Sequence, residues 1–284
     1  MQFAAFGDLL MPDSAAQSVL YYSPEMVLSH GFDDPADMVL DGDWTMDMFY
    51  QIAAAHAASD ASRSSVAADN YLPHKLYNGA GQSVVSRNDK ELFSFAIDVN
   101  FAAELLTAIS EIPGLAYVAD IHAAGPQMLS EGGAIFAADT LANIDAYMSG
   151  DSSFSVVPMP KFDKAQESYF SPADFRTMQV LSVPVIYQKE ELGSVIEFMN
   201  EASAGMQEAF VAKYGNEKNA DMLELILDGG MVDFVTISGQ LTDVLGQLNT
   251  APNNAAMMIM QYQAVIAKQV EKVNAAFEEF LSRQ

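Results

Sequence analysis

Gln17-Ser18-Val19-Leu20-Tyr21-Tyr22-Ser23-Pro24 is a short apolar run closed by a Ser-Pro stop, the pattern of a buried strand. A short helix through Met26, Val27 and Leu28 follows and ends by Gly31. Asp33-Asp34-Pro35 opens a second short helix, which Asp41-Gly42-Asp43 ends. Thr45 is a good N-cap, with Asp47 in the first turn, for a helix through Phe49, Ile52 and Ala53. A strand feeding helices, with the pattern recurring downstream, indicates an α/β protein with at least one mixed sheet.

Residues 59–69 are small and polar and read as a loop, and 71–81 are turn-rich around Pro73, Gly79 and Gly81. A long amphipathic helix is expected from Lys90 to Ile112, presenting Leu92, Phe95, Ala96, Val99, Leu106 and Ile109 and ended by Pro113-Gly114. Gly132-Gly133 leads into a strand over Ala134-Ile135-Phe136-Ala137. Phe154 to Val157 is another strand, stopped by Pro158-Met159-Pro160, and 177–186 is a third. Helices are expected over 189–214, 217–227 and 253–281. No internal repeat or low-complexity tract interrupts them.

The 284 residues suffice for two ordinary domains or one large one. Half are hydrophobic, enough for a substantial core. Thirteen Lys and Arg against 38 Asp and Glu give a net charge of −25. Such a surface repels phosphate backbones and anionic lipid heads, which argues against nucleic-acid and membrane-surface partners. With no cysteine there is no disulfide, thiolate metal site or Cys nucleophile. No apolar run approaches the ~18–20 residues of a transmembrane helix. Met1 to Asp8 lacks the basic, apolar and cleavage regions of an export signal.

No catalytic constellation stands out. Paired carboxylates would suit a glycosidase, but Asp33, Asp34, Asp37, Asp41, Asp43 and Asp47 fall at loop ends and helix starts, where Asp caps N–H groups. Asp41, Asp43 and Asp47 are spaced like part of a calcium loop without its Gly turn or terminal Glu. His30, His56, His74 and His122 show no H-x-x-x-H spacing, so no zinc site is expected. Gly79-Ala80-Gly81 is half a phosphate fingerprint and no G-x-S-x-G occurs, so neither a cofactor nor a metal is expected. Met257, Met258 and Met260 fit a core-filling helix.

Three segments carry a resemblance. Val19-Leu20-Tyr21-Tyr22-Ser23-Pro24-Glu25-Met26 is similar to a strand ending in Tyr or Phe, with Ser23-Pro24 in place of Asn-Lys. Asp41-Gly42-Asp43-Trp44-Thr45-Met46-Asp47 resembles an Asp-Gly-Lys-Trp-Thr-x-Asp helix opening, with Asp43 where Lys is usual. Phe154-Ser155-Val156-Val157-Pro158-Met159-Pro160-Lys161-Phe162-Asp163-Lys164-Ala165-Gln166 resembles a strand and its Pro-Met-Pro-Lys-(Tyr/Phe)-Asp-x-Ala-Gln loop. The order and spacing are similar to those of bacterial extracellular solute-binding proteins of the maltose-binding-like class, which serve ABC importers. The resemblance implies a type II periplasmic-binding-protein-like fold with one lobe mostly complete and the other partial. It assigns 1–182 to the main ligand-binding lobe, 183–229 to part of a second lobe, and 230–284 to helices returning to the first. It also implies that the chain begins just after the first interdomain crossing, without the family's signal and N-terminal portion.

The implied mechanism is a hinged clamp that closes on a sugar-like solute and docks on permease subunits at the cell surface, with no catalysis. Tyr22 matches the family's ligand-contacting aromatic. Asp139, Thr140 and Asn143 follow the strand at the usual cleft-facing loop, and Phe175 and Arg176 precede the crossing strand. Tyr77 and Asn78 sit in a loop within reach of the cleft. Trp44 is either a stacking platform for a sugar or a packing residue. Two other functions compete: a glycoside-acting enzyme, and a non-binding remnant serving as an interaction module.

Overall fold

The computed structural model describes residues 4–5, 15–87, 92–148, 154–174, 181–182, 190–215, 217–233, 245 and 254–282. After Ala4–Ala5 (β1) comes Ser18–Tyr22 (β2), every residue of it buried. Ser23 and Asp34 cap Pro24–Ser29 (α1) and Pro35–Leu40 (α2), each of which has Pro at its start, where a missing N–H costs nothing. Thr45 caps Met46–Ser59 (α3) as expected.

The next stretch departs from expectation. The supposed loop 59–69 contains Val66–Ala68 (β3), and the turn-rich 71–81 folds as Leu72–Gly79 (α4) with Pro73 in its first turn. The single helix expected from Lys90 is two elements. Phe93–Phe95 (β5) pairs antiparallel with Val85–Arg87 (β4), and the helix proper is Val99–Ser110 (α5). Asp98 sets that start, its carboxylate accepting from the amides of Asn100 and Phe101 at 2.9 and 3.0 Å. Leu115–Tyr117 (β6) and Ile121–Ser130 (α6) follow.

The strand expected at 134–137 runs instead over Phe136–Thr140 (β7), so Asp139 and Thr140 belong to the sheet and not to a loop. After a 3₁₀ turn at Leu141–Asn143 come Ile144–Met148 (α7), Ser155–Pro158 (β8) and Ser171–Pro172 (β9). Of the strand expected over 177–186, Leu181–Ser182 (β10) is described, paired with β1. Glu190–Tyr214 (α8), Glu217–Asp228 (α9), Gly230–Met231 (β11) and Ala255–Ser282 (α10) complete the chain, with the three helices close to their expected bounds.

Five strands form the main sheet in the order β6-β3-β7-β2-β8. β3 is parallel to both β6 and β7, while β2 runs antiparallel to β7 and β8. Alternation separates the faces: Tyr22, Phe136, Trp44 and Phe49 pack on one side, and Tyr21 stacks on Tyr147 on the other at 3.8 Å. Helix α9 lies along the β8 edge, where Asn219 Oδ1 accepts from Val156 N at 3.4 Å, so that edge is covered. Helix α10 packs on α5 and β5, and the Asn274 amide bonds both backbone groups of Phe93, at 2.9 and 2.7 Å.

Candidate functional site

In open α/β sheets the ligand crevice lies outside the carboxyl ends of the strands, where strand order reverses. Here the chain steps from β3 outward to β6 and then returns past β3 to β7. That rule directs attention to Asp69, beyond β3, and to the end of β7, with the end of β6 beside them.

One buried carboxylate organises this region. Asp139 has 0% exposure, and each of its oxygens accepts twice. Oδ1 accepts from Thr140 N at 2.7 Å and from His122 Nδ1 at 2.7 Å. Oδ2 accepts from Asn143 Nδ2 and from the Tyr147 hydroxyl, both at 3.0 Å. Asn143 Nδ2 also donates to the His122 carbonyl at 2.8 Å, tying the turn after β7 to the start of α6. Burial, and then the adjacent Asp139 charge, hold the Tyr147 phenol well above its ordinary pKa. Tyr21 is raised the same way, and its hydroxyl donates to Thr140 O at 3.0 Å. Beside these strand ends, the buried Lys75 ammonium lies 3.4 Å from Asp69 and donates to Ala138 O at 3.1 Å.

The expected ligand residues divide between this region and the interior. Asp139, Thr140 and Asn143 come together here, though only Asn143 is partly exposed. Thr140 Oγ1 is buried without a partner among the described residues. Tyr22 is fully buried, its hydroxyl donating to the Asp34 carboxylate that caps α2. Burial, with Asp34 adding to it, raises its pKa. Trp44 is a packing residue: its indole N–H donates to Pro158 O at 3.1 Å, and its ring meets Phe49 and Phe136. Tyr77, pushed up to about 12 by burial, accepts from Asp98 N at 3.2 Å. Asn78 donates to Gln82 O at 2.7 Å and to Asp233 at 3.1 Å. Phe175 and Arg176 lie outside the described residues.

Tyr147 escaped the sequence reading, and His122 was weighed there only as a zinc ligand. A signal for both existed in the spacing: Asp139, Asn143 and Tyr147 follow one another at intervals of four, and His122 sits just past a helix-capping Asp120. With all four lone pairs engaged, Asp139 is spent as a nucleophile or general base. Among the described residues no three His, Asp or Glu side chains are grouped to hold a metal ion. No helix among them is long and apolar enough to cross a membrane.

Likeness to solved structures over about nine-tenths of the chain gives it the type II periplasmic-binding-protein-like fold. It is similar to UgpB from Mycobacterium tuberculosis, solved with glycerophosphocholine (12% identity, TM-score 0.61, covering 90% of this chain and 68% of that one). It is similar to the GacH receptor of Streptomyces glaucescens, solved unliganded and with acarbose (14%, 0.59, 94% and 79%). A third is the galacto-N-biose-/lacto-N-biose I-binding protein of the ABC transporter from Bifidobacterium longum, solved with lacto-N-biose (9%, 0.59, 90% and 69%). No protein-family model and no curated protein sequence matches the chain.

Proposed function

We propose that the chain is the solute-binding component of an ABC importer, that its solute is a carbohydrate or oligosaccharide, and that it works at the cell surface with permease subunits and without catalysis. The observation that carries this reading is the fold likeness, spread over about nine-tenths of the chain, to solved structures that are binding proteins. The three sequence segments described above support it independently. The solute would sit in the crevice at the ends of β3 and β7, with Asn143 at its rim and Asp139 and Thr140 beneath, and a second lobe would close over it. Closure is favoured only by the contacts that the closed state adds.

A thermal-shift panel of maltotriose, lacto-N-biose, acarbose and glycerophosphocholine tests the reading. At a hundredfold excess over Kd, a bound solute stabilises by ~2.7 kcal/mol, about 5 °C for a chain of this size. If no member of a broad sugar panel moves Tm, the binding assignment falls. Release of reducing ends from any of these sugars would make the protein an enzyme instead.

A further inference from the structure

Asp139 is too enclosed to touch a solute, yet it dictates which hydrogen-bonding atoms its neighbours have left. Asn143 has two amide hydrogens and two acceptors for them, the His122 carbonyl at 2.8 Å and Asp139 Oδ2 at 3.0 Å. What remains of its side chain is Oδ1, an acceptor. His122 Nδ1 lies 2.7 Å from Asp139 Oδ1, and an ionised carboxylate only accepts, so Nδ1 carries the proton. In the neutral imidazole Nε2 is then a bare acceptor. The side chain of His122 is 45% exposed while Asp139 is sealed, so the ring edge opposite Nδ1 is the one that meets solvent. His122 follows β6 and Asn143 follows β7, and their mutual bond spans the carboxyl end of β3 between them.

We infer that this pair selects hydrogen-bond donors. The solute seats hydroxyl groups here that donate to His122 Nε2 and Asn143 Oδ1, whereas fully ionised oxyanions such as carboxylate and sulfate, which have only acceptors, are turned away. The inference rests on the proposed solute-binding function and narrows it to neutral, polyhydroxylated solutes. The formal charge of −25 works in the same direction, since its field opposes anions. Asp139 is the positioning residue, acting through the tautomer of His122.

Long-range ¹H–¹⁵N NMR at pH 8 tests the premise without a ligand. His122 should show Nδ1 protonated and Nε2 bare, and the opposite tautomer overturns the inference. Asp139→Asn, whose amide can donate to Nδ1, should move the proton to Nε2; an unchanged tautomer in that variant also overturns it. Calorimetry with maltotriose, or with the tightest neutral sugar of the panel, supplies the second arm. His122→Ala and Asn143→Ala, at exposed and half-buried positions, should each weaken it roughly fivefold, as loss of one neutral hydrogen bond does. Excess inorganic sulfate, which has no O–H at this pH, should not compete. Equal affinity in all three proteins overturns the inference and leaves the solute-binding reading standing. Sulfate binding that depends on His122 overturns it as well, because the imidazole would then be donating. Failure of every neutral sugar to bind sinks both.

Discussion

Lowering the pH from 7 to 5 should destabilise the protein by about 2 kcal/mol through His74 alone. His74 lies on α4, almost wholly buried, its ring stacked parallel on Tyr71 at 4.9 Å. Neither ring nitrogen has a hydrogen-bond partner among the described residues. Burial lowers its pKa to about 4, and the nearby Asp174 carboxylate only partly opposes that. Lys75, next in sequence, is engaged with Asp69 and Ala138 O. The unfolded chain takes up this proton near pH 6.5 and the folded one only near 4, so the contribution is complete above ~6.5 and is lost as pH falls toward 4. Linkage between those two values gives a loss of ~2 kcal/mol by pH 5 and ~3 kcal/mol by pH 4, relative to pH 7. The 38 carboxylates titrate over the same range, so the quantity to follow is a difference. Urea unfolding by circular dichroism, in the native protein and in His74→Phe, should show the variant gaining ~2 kcal/mol on the native protein between pH 7 and pH 5. A difference that stays flat with pH would refute the claim that the folded state holds this imidazole neutral.

Two further substitutions probe the packing against the main sheet. Trp44→Ala should cost ~3–5 kcal/mol in urea unfolding, and Trp44→Phe ~1–3 kcal/mol from the orphaned Pro158 carbonyl, with sugar affinity unchanged in Trp44→Phe. Quenching of emission from this single tryptophan on direct contact with a bound sugar would restore it as a stacking platform. Gly125→Ala places a Cβ against the Tyr147 hydroxyl. Although Ala favours a helix by ~1 kcal/mol over Gly, the variant should lose ~1–2 kcal/mol net as Tyr147 is pushed from Asp139; a gain in thermal stability would show that the contact is relieved cheaply.

What could be read in the sequence follows from where stability is local. The caps Asp34 and Thr45 bond to amides two or three residues away, so their helices were legible from a few letters. The apolar run of β2 was long enough to stand out as well. Val66-Ala67-Ala68 and Leu115-Ala116-Tyr117 were not, because three residues rich in Ala carry neither alternation nor a β-branched run. Their strand state comes from pairing with β7 and with each other, across separations of roughly fifty to seventy residues, and no short window contains that information. The Phe93–Phe95 strand was absorbed into a helix for the same reason, since its partner and Asn274 lie outside the window that suggested the helix.

The candidate site inherits this difficulty. The family resemblance directed attention to Asp139, Thr140 and Asn143, but it placed the first two in a loop, where a carboxylate would face the solute. Register with Val19 and Ser18 puts both inside the sheet instead. A buried carboxylate must find donors or be neutralised, and Asp139 finds four. Each donor is thereby oriented, so in the proposed binding mode the atoms offered to a solute belong to His122 and Asn143, the two neighbours that are exposed or partly exposed. His122 could not be seen in that role until β6 was known, because only the end of that strand brings α6 beside the turn after β7. The identity of the proposed contacting atoms is thus a tertiary property, and it was hidden for as long as the three-residue parallel strands β3 and β6 were.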